Sequence, residues 1–279
     1  MKIWLLGSQG MLGQALKLAL KNKYELLANN RSQADVLDKK QLLSIFKDFQ
    51  PDVVINATAY TNVEKAEEES EKAWAVNSEG IKNLVDLLED TEVKFVHYST
   101  DYVFDGKNSQ GYSEESQAFG PLNVYGESKL AGEKYITENL DKYFLIRTAW
   151  LYGAYGKNFV KTMLSLAEKM PELKVVNDQI GCPTNADDLV KMVAELLNGK
   201  YDYGIYHGVN NVDGGVTWYD FACKIFELSD IKIKVTAVGS GEFPTKAERP
   251  AYSILLNTKF SKLRDWDVAL KDYLEKYER

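Results

Sequence analysis

Tyr125 and Lys129 stand four residues apart where the sequence spacing predicts a helix over 125–139, so their side chains share one face. A phenol beside an ammonium suits proton exchange with a substrate oxygen, because the positive charge favours phenolate and draws the tyrosine pKa from ~10 towards the working pH. The spacing alone is weak in a chain with 17 tyrosines, and position must carry the reading. Upstream, Tyr98-Ser-Thr-Asp-Tyr-Val-Phe104 closes an apolar run and offers hydroxyls at Ser99 and Thr100. Ligands of open α/β sheets bind outside the carboxyl ends of the strands, so either hydroxyl would face the crevice that receives Tyr125. Thr100 would then hydrogen-bond the oxygen being protonated, and Lys129 would also hold a cofactor ribose.

A second group of residues points to a phosphate. Gly7-Ser-Gln-Gly10-Met-Leu-Gly13 follows the apolar run 2–6 and opens a helix whose face is Met11, Leu12, Ala15, Leu16, Ala19 and Leu20. Glycine is required there wherever the turn is tight, a ligand comes close or the helix packs on the strand. A pyrophosphate would sit on the free N–H groups around Met11 and Leu12. Two residues separate the first pair of glycines, unlike the GxGxxG form, and no Lys-Ser/Thr follows, which excludes an ATP-type P-loop. The next strand ends in Ala28-Asn-Asn-Arg31. With no carboxylate to repel a 2′-phosphate, Asn30 and Arg31 favour NADPH, with NADH the alternative. Asp35 and Val36 stand where they would flank the adenine.

Behind these groups the chain alternates strand and helix. Strands are expected at 2–6, 24–28, 51–57, 94–99 and 144–147, with helices at 11–20, about 42–49, 73–88 and 125–139. Near-continuous apolar strands imply a parallel sheet covered on both faces. The fold class is α/β: a Rossmann-like doubly wound parallel sheet with a smaller, partly interleaved C-terminal substrate subdomain. Residues 1–152, joined by 185–210, would form the NAD(P)-binding unit and 153–279 mainly the substrate-binding part. In that second part helices are expected at 159–168, 187–197 and 217–228, and short strands near Val175 and Ile205. Glu67-Glu68-Glu69 reads as a solvated helix face.

Composition bounds the function. With 279 residues, 34 basic against 41 acidic side chains and a net charge of −7, nucleic acid and anionic membrane are poor partners. No apolar run reaches the ~20 residues of a membrane span, and no signal-peptide pattern opens the chain, so a cytoplasmic protein is expected. Cys182 and Cys223 lack CxxC spacing, and His97 and His207 both lie in apolar strands, so all four read as core residues.

Taken together, Gly7-x-x-Gly10-x-x-Gly13, Asn56-Ala-Thr-Ala-Tyr60, Ser99-Thr-Asp-Tyr-Val-Phe104 and Tyr125-Gly-Glu-Ser-Lys129 resemble the extended short-chain dehydrogenase/reductase superfamily. Within it, His97-Tyr-Ser-Thr-Asp-Tyr-Val-Phe-Asp-Gly106, Pro121-Leu-Asn-Val-Tyr-Gly126, Arg147-Thr-Ala-Trp150, Asn177-Asp-Gln-x-Gly-x-Pro-Thr184 and Arg249-Pro250 resemble the family of dTDP-4-dehydrorhamnose reductases. The resemblance implies NAD(P)H-dependent reduction of the C4 ketone of a dTDP-linked 4-hexulose, with Tyr125 as proton donor, Thr100 on the same oxygen and Lys129 lowering the tyrosine pKa. It places Ala57, Thr58 and Ala59 along the cofactor. Thr61, Asp101, Tyr102 and Trp150 would meet the sugar, and Asn158, Gln179 and Arg249 the nucleotide diphosphate. Some members of the family dimerise around magnesium held by carboxylates, one of them in the first helix; the matching residue here is Ala15, so no metal site and a monomer, at most a weak dimer, are expected. The competing readings are another sugar-nucleotide reductase or epimerase of the superfamily, or a regulatory NAD(P)-binding subunit.

Overall fold

The computed structural model describes residues 1–278. The chain begins β1 (Lys2–Leu6), α1 (Met11–Leu20), β2 (Glu25–Asn29), α2 (Lys39–Phe49), β3 (Val53–Asn56), α3 (Val63–Ala66), α4 (Ser70–Trp74), α5 (Gly80–Leu88), β4 (Lys94–Thr100), α6 (Val124–Asn139) and β5 (Tyr143–Thr148). It continues β6 (Leu151–Tyr152), α7 (Phe159–Ala167), β7 (Glu172–Val176), β8 (Ile180–Gly181), β9 (Thr184–Asn185), α8 (Ala186–Asn198), β10 (Gly204–His207), β11 (Val216–Thr217), α9 (Trp218–Leu228), β12 (Lys234–Val238) and α10 (Trp266–Tyr277).

Six strands form one parallel sheet in the order β10-β5-β4-β3-β1-β2. Both faces are covered, which is why Ile3 to Leu6 and Val53 to Ile55 are buried without alternation. Helices α1 and α8 close one face over Ile3, Leu5, Ile55, Val96 and Ile146, and α2, α5 and α6 close the other over Trp4, Val54, Phe95 and Leu145. The chain leaves β1 towards β2 on one side and returns to β3 on the other, and this reversal opens a crevice at the carboxyl ends of β1 and β3. A separate core joins Tyr152, Val160, Val175, Phe221, Ile225 and Tyr273 from the C-terminal elements. Among the described residues no helix is long and apolar enough to cross a membrane.

Two local expectations need correction. The helix expected at 73–88 starts at Ser70 and widens into a π turn over Ala75–Glu79. Asn77 in that turn accepts the Tyr60 N–H at 2.9 Å and donates to the Tyr60 carbonyl and Ser128 Oγ, each at 3.0 Å, which fastens the loop after β3 to α6. Glu67-Glu68-Glu69 is not a solvated face but the link between α3 and α4. Glu67 accepts the Val124 N–H at 2.9 Å, supplying a negative charge to the N-terminus of α6, Glu68 pairs with Lys246, and Glu69 takes the Tyr60 hydroxyl at 2.7 Å. The sequence periodicity also passed over β12 and α10, whose apolar residues meet partners far away in the chain.

Candidate active site

The phosphate turn is built by close packing. Gly7 has φ +78°, and a Cβ there would lie 2.7 Å from the Ala57 carbonyl group, while one on Gly13 would lie 2.1 Å from the Gly7 oxygen. Gly10 begins α1 with no side-chain cap, so the first-turn N–H groups keep their donors for an anion. Gly7, Gly10, Asn30, Arg31, Val36, Ala57, Thr58 and Ala59 line one hollow of about 250 Å³ beside this turn. An adenosine diphosphate fits this cradle of backbone donors and small residues. Arg31 pairs with Asp35 at 3.3 Å, and Asp35 also accepts the Leu37 N–H. Asp35 therefore faces a neighbouring, more open hollow with Lys39 and Lys40 and does not line the one beside the turn.

Past the turn a cavity of about 470 Å³ runs along the strand ends. Met11, Leu12, Thr61, Ser99, Thr100, Asp101, Tyr102, Tyr125, Lys129 and Trp150 all line it, so α1, β4 and α6 bring the two sequence groups to one place. Thr100 Oγ1 donates to Asp101 Oδ1 at 2.8 Å and accepts the Tyr102 N–H at 3.2 Å. The Tyr102 and Tyr125 rings meet edge to face at 5.7 Å. Trp150 is a non-glycine residue with φ +44°, a strained conformation held from both sides. Its indole stacks on Trp218, and a Cβ at Gly181 would lie 2.5 Å from its ring.

Trp218 also lines a second cavity of about 320 Å³ that contains Phe159, Gln179, Phe243, Thr245 and Arg249. Arg249 reaches back between the two, donating from Nη1 to the Tyr102 hydroxyl at 3.1 Å. Asn158 does not reach either cavity. Its amide caps α7, accepting the Lys161 N–H at 3.1 Å and donating to the Gly153 carbonyl at 2.9 Å. Gly13 also lies outside, as the contact that seats α1.

This geometry was compared with known proteins. Residues 1–279 match the family described as RmlD substrate binding domain. A dTDP-4-dehydrorhamnose reductase of Aggregatibacter actinomycetemcomitans is 40% identical, with 97% of each chain covered. The chain belongs to the dTDP-4-dehydrorhamnose reductase family. Crystal structures of two dTDP-4-dehydrorhamnose reductases superpose over nearly all of it. That of Bacillus anthracis, in complex with NADP, has 36% identity and a TM-score of 0.94 with 99% of each chain covered. That of Clostridium acetobutylicum has 38% identity and a TM-score of 0.95 with all of each chain covered.

As in any short-chain reductase, the charge states decide what the site can do, and one of them differs from expectation. In this member of the dTDP-4-dehydrorhamnose reductase family, burial pushes the Tyr125 phenol above its ordinary pKa, against a hydrogen bond with Thr100. Lys129 lies one turn further along α6 and lines the same cavity. Its Nζ donates to the Tyr98 carbonyl at 2.6 Å and lies 3.2 Å from His97 Nε2. Burial brings Lys129 itself down to about 8, with Glu133 opposing. Burial raises Asp101 to about 6 against hydrogen bonds from Ser253 and Thr100, and raises Tyr102 to about 12.

Sequence reasoning missed Trp218 and Lys157 in the first cavity and Phe243 and Thr245 in the second. For Trp218 a signal existed: Thr217 and Asp220 form a capping box, which fixes Trp218 at the first turn of α9. Among the described residues no three His, Cys, Asp or Glu side chains converge as a metal site would require.

Proposed function

We propose that this chain reduces the C4 ketone of dTDP-6-deoxy-L-lyxo-4-hexulose with NADPH to give dTDP-L-rhamnose. The observation that carries the reading is the continuity of the phosphate turn with the cavity holding Thr100, Tyr125 and Trp150, in a chain of this family. NADPH, seated on the turn at Gly7 and Gly10 and along Ala57 to Ala59, supplies the hydride for C4. Tyr125 gives its proton to the C4 oxygen as negative charge develops there, and being a phenol at rest it is loaded for that step. Thr100, whose hydroxyl hydrogen goes to Asp101 in the unliganded site, would turn that hydrogen to the same oxygen and hold it in line. Trp150 walls the cavity where the sugar ring would lie, and Gln179 and Arg249 receive the nucleotide diphosphate, for which a guanidinium is suited.

Work is divided between residues 1–152 with 185–210, which bind cofactor, and the rest of 153–279, which bind the nucleotide sugar. This division is supported by β10 in the main sheet and α8 in its core. The chain acts in the cytoplasm as a metal-independent monomer; Ala15, on the buried side of α1, is 8% exposed and offers no carboxylate. A shift in gel-filtration mass on adding magnesium would overturn that part.

The decisive experiment mixes purified protein, NADPH and the 4-keto sugar nucleotide and follows NADPH absorbance, with Tyr125→Phe beside it. Substrate-dependent oxidation that falls by about 10²-fold or more in the variant, at unchanged cofactor affinity, is expected. No oxidation with NADPH or NADH, despite cofactor binding, refutes the assignment.

A further inference from the structure

The run Pro121-Leu-Asn-Val-Tyr-Gly126 brings in Tyr125, yet its asparagine lines neither cavity. Asn123 is 5% exposed and stands in extended backbone just before α6. Both ends of its amide are engaged. Oδ1 accepts the Gly126 N–H at 2.9 Å, capping the turn that holds Tyr125, and Nδ2 donates to the Glu248 carbonyl at 2.8 Å, 125 residues further along the chain. A backbone N–H only donates and a carbonyl only accepts, so the amide cannot be turned over. No other small side chain serves both partners. Aspartate would cap the helix but set a carboxylate oxygen against the Glu248 carbonyl, and serine would cap it but fall short of Glu248.

The Glu248 carbonyl belongs to the peptide that leads into Arg249, whose guanidinium donates to the Tyr102 hydroxyl. Tyr102 in turn touches the start of α6 twice. Its ring meets that of Tyr125, and its carbonyl oxygen lies against the first helical turn, where a Cβ on Gly126 would come within 2.2 Å. The flanking residues are held as well. Glu64 of α3 accepts the Lys246 N–H at 2.6 Å, and Pro250 packs on Gly106, where a Cβ would lie 2.4 Å from the proline ring.

In a hexulose with its diphosphate on C1 and its ketone at C4, the two groups stand across the sugar ring from each other. The side chain that grips the phosphate and the one that protonates the C4 oxygen must therefore keep a set separation, although Arg249 and Tyr125 lie far apart in the chain. We propose that Asn123 is a positioning residue that ties the Arg249 segment to the start of α6, so that a diphosphate held by Arg249 brings the C4 oxygen to the Tyr125 phenol. The proposal rests on the reductase reading above.

Asn123→Ser and Asn123→Asp both keep a helix cap and lose the link to Glu248, which separates positioning from folding. Calorimetric titration of the full chain with dTDP should show affinity lowered by about tenfold in both variants, part of what a charge-assisted contact supplies. The Kd for NADPH should stay within about twofold, as for a site that shares no partner with the change. KM for the 4-keto sugar nucleotide should rise by about tenfold with kcat within about threefold, because Tyr125 remains on a capped helix. In an Arg249→Ala background the serine substitution should weaken dTDP by less than about twofold further, since the group that Asn123 positions is gone. A cap without this second role would lower the urea midpoint and leave dTDP affinity alone. Wild-type dTDP affinity in a folded Asn123→Ser or Asn123→Asp, or a full tenfold loss persisting in Arg249→Ala, overturns the proposal. A wild type that binds dTDP but turns over no ketone refutes the reductase reading, and the titrations still decide the link.

Discussion

The indole rings of Trp150 and Trp218 are stacked 3.5 Å apart with planes 8° from parallel, so the link between β5 and β6 meets α9 through one aromatic pair. This pair walls the cavity of about 470 Å³ on one side and, through Trp218, borders the cavity of about 320 Å³ on the other. Gly181 leaves just enough room for it. A methyl group at 181 must displace Trp150, because the nearest ring atom would be 2.5 Å away. We expect Gly181→Ala to raise KM for the nucleotide sugar by about tenfold or more while the Kd for NADPH stays within about twofold, since a displacement near 1 Å at a site costs on that order. Steady-state kinetics and cofactor titration check this, and a change confined to NADPH contradicts it.

The glycines of the phosphate turn should separate by consequence. Gly13→Ala would drive a Cβ to 2.1 Å from the Gly7 oxygen, and we expect a loss of about 1–3 kcal/mol in stability. Gly10→Ala meets the same oxygen at 3.4 Å, an ordinary contact, and should stay within about 1 kcal/mol of wild type while NADPH binding weakens. Urea unfolding and cofactor titration of the two variants give the comparison. Equal stabilities would remove Gly13 from its packing role.

Arg249→Ala should raise KM for the nucleotide sugar by about 10- to 100-fold, because a charge-assisted contact of about 1.5–3 kcal/mol is lost. Arg249 also donates to Tyr102, whose ring touches that of Tyr125, so a smaller fall in kcat should accompany it. Arg249→Lys keeps the charge but not the paired N–H geometry and should recover only part of the affinity. An effect on NADPH alone would move Arg249 to the other site.

Acid should destabilise the protein earlier than carboxylate titration alone would. Burial holds His207 down to about 4, and burial together with Lys129 holds His97 well below 6.5. The unfolded chain binds both protons near pH 6.5 and the folded chain does not, so stability present above that pH is lost as the pH falls. Asp101 acts in the opposite sense, since burial raises it to about 6 and the folded state takes its proton first. The net difference approaches one proton, or about 1.4 kcal/mol per pH unit between about pH 6 and 5. Denaturant midpoints across that range test it. Asp101→Asn removes the offset and should about double the slope; a flat profile in both proteins contradicts the argument.

Strand and helix positions were legible wherever the pattern is local. The apolar runs of β1, β3 and β4 and the helical spacing of α1 read directly, as did the hydroxyls, tyrosine and lysine that meet at the strand ends. The π turn at Ala75–Glu79 was not legible, because its extra residue is stabilised by Asn77 binding Tyr60 and Ser128, both distant in the chain. The same holds for Asn158, whose type suits a diphosphate contact equally well as a helix cap. Deciding between the two took the position of the Gly153 carbonyl. His97 read as a core residue and is one, yet only the β3–β4 register, which sets Asn56 beside it, shows that the core here continues into the site.

The late arrival of β10 has a consequence for synthesis. β10 pairs with β5, and α8 covers the same sheet face as α1, so that face stays partly bare until residues 186–207 have been made. Through most of translation the nascent chain therefore carries an unpaired strand edge at β5 and uncovered Val96, Phe144 and Ile146, the kind of surface that draws chaperones or a neighbouring chain. A ribosome paused before α8 would hold a protein with a formed phosphate turn and an unfinished sheet.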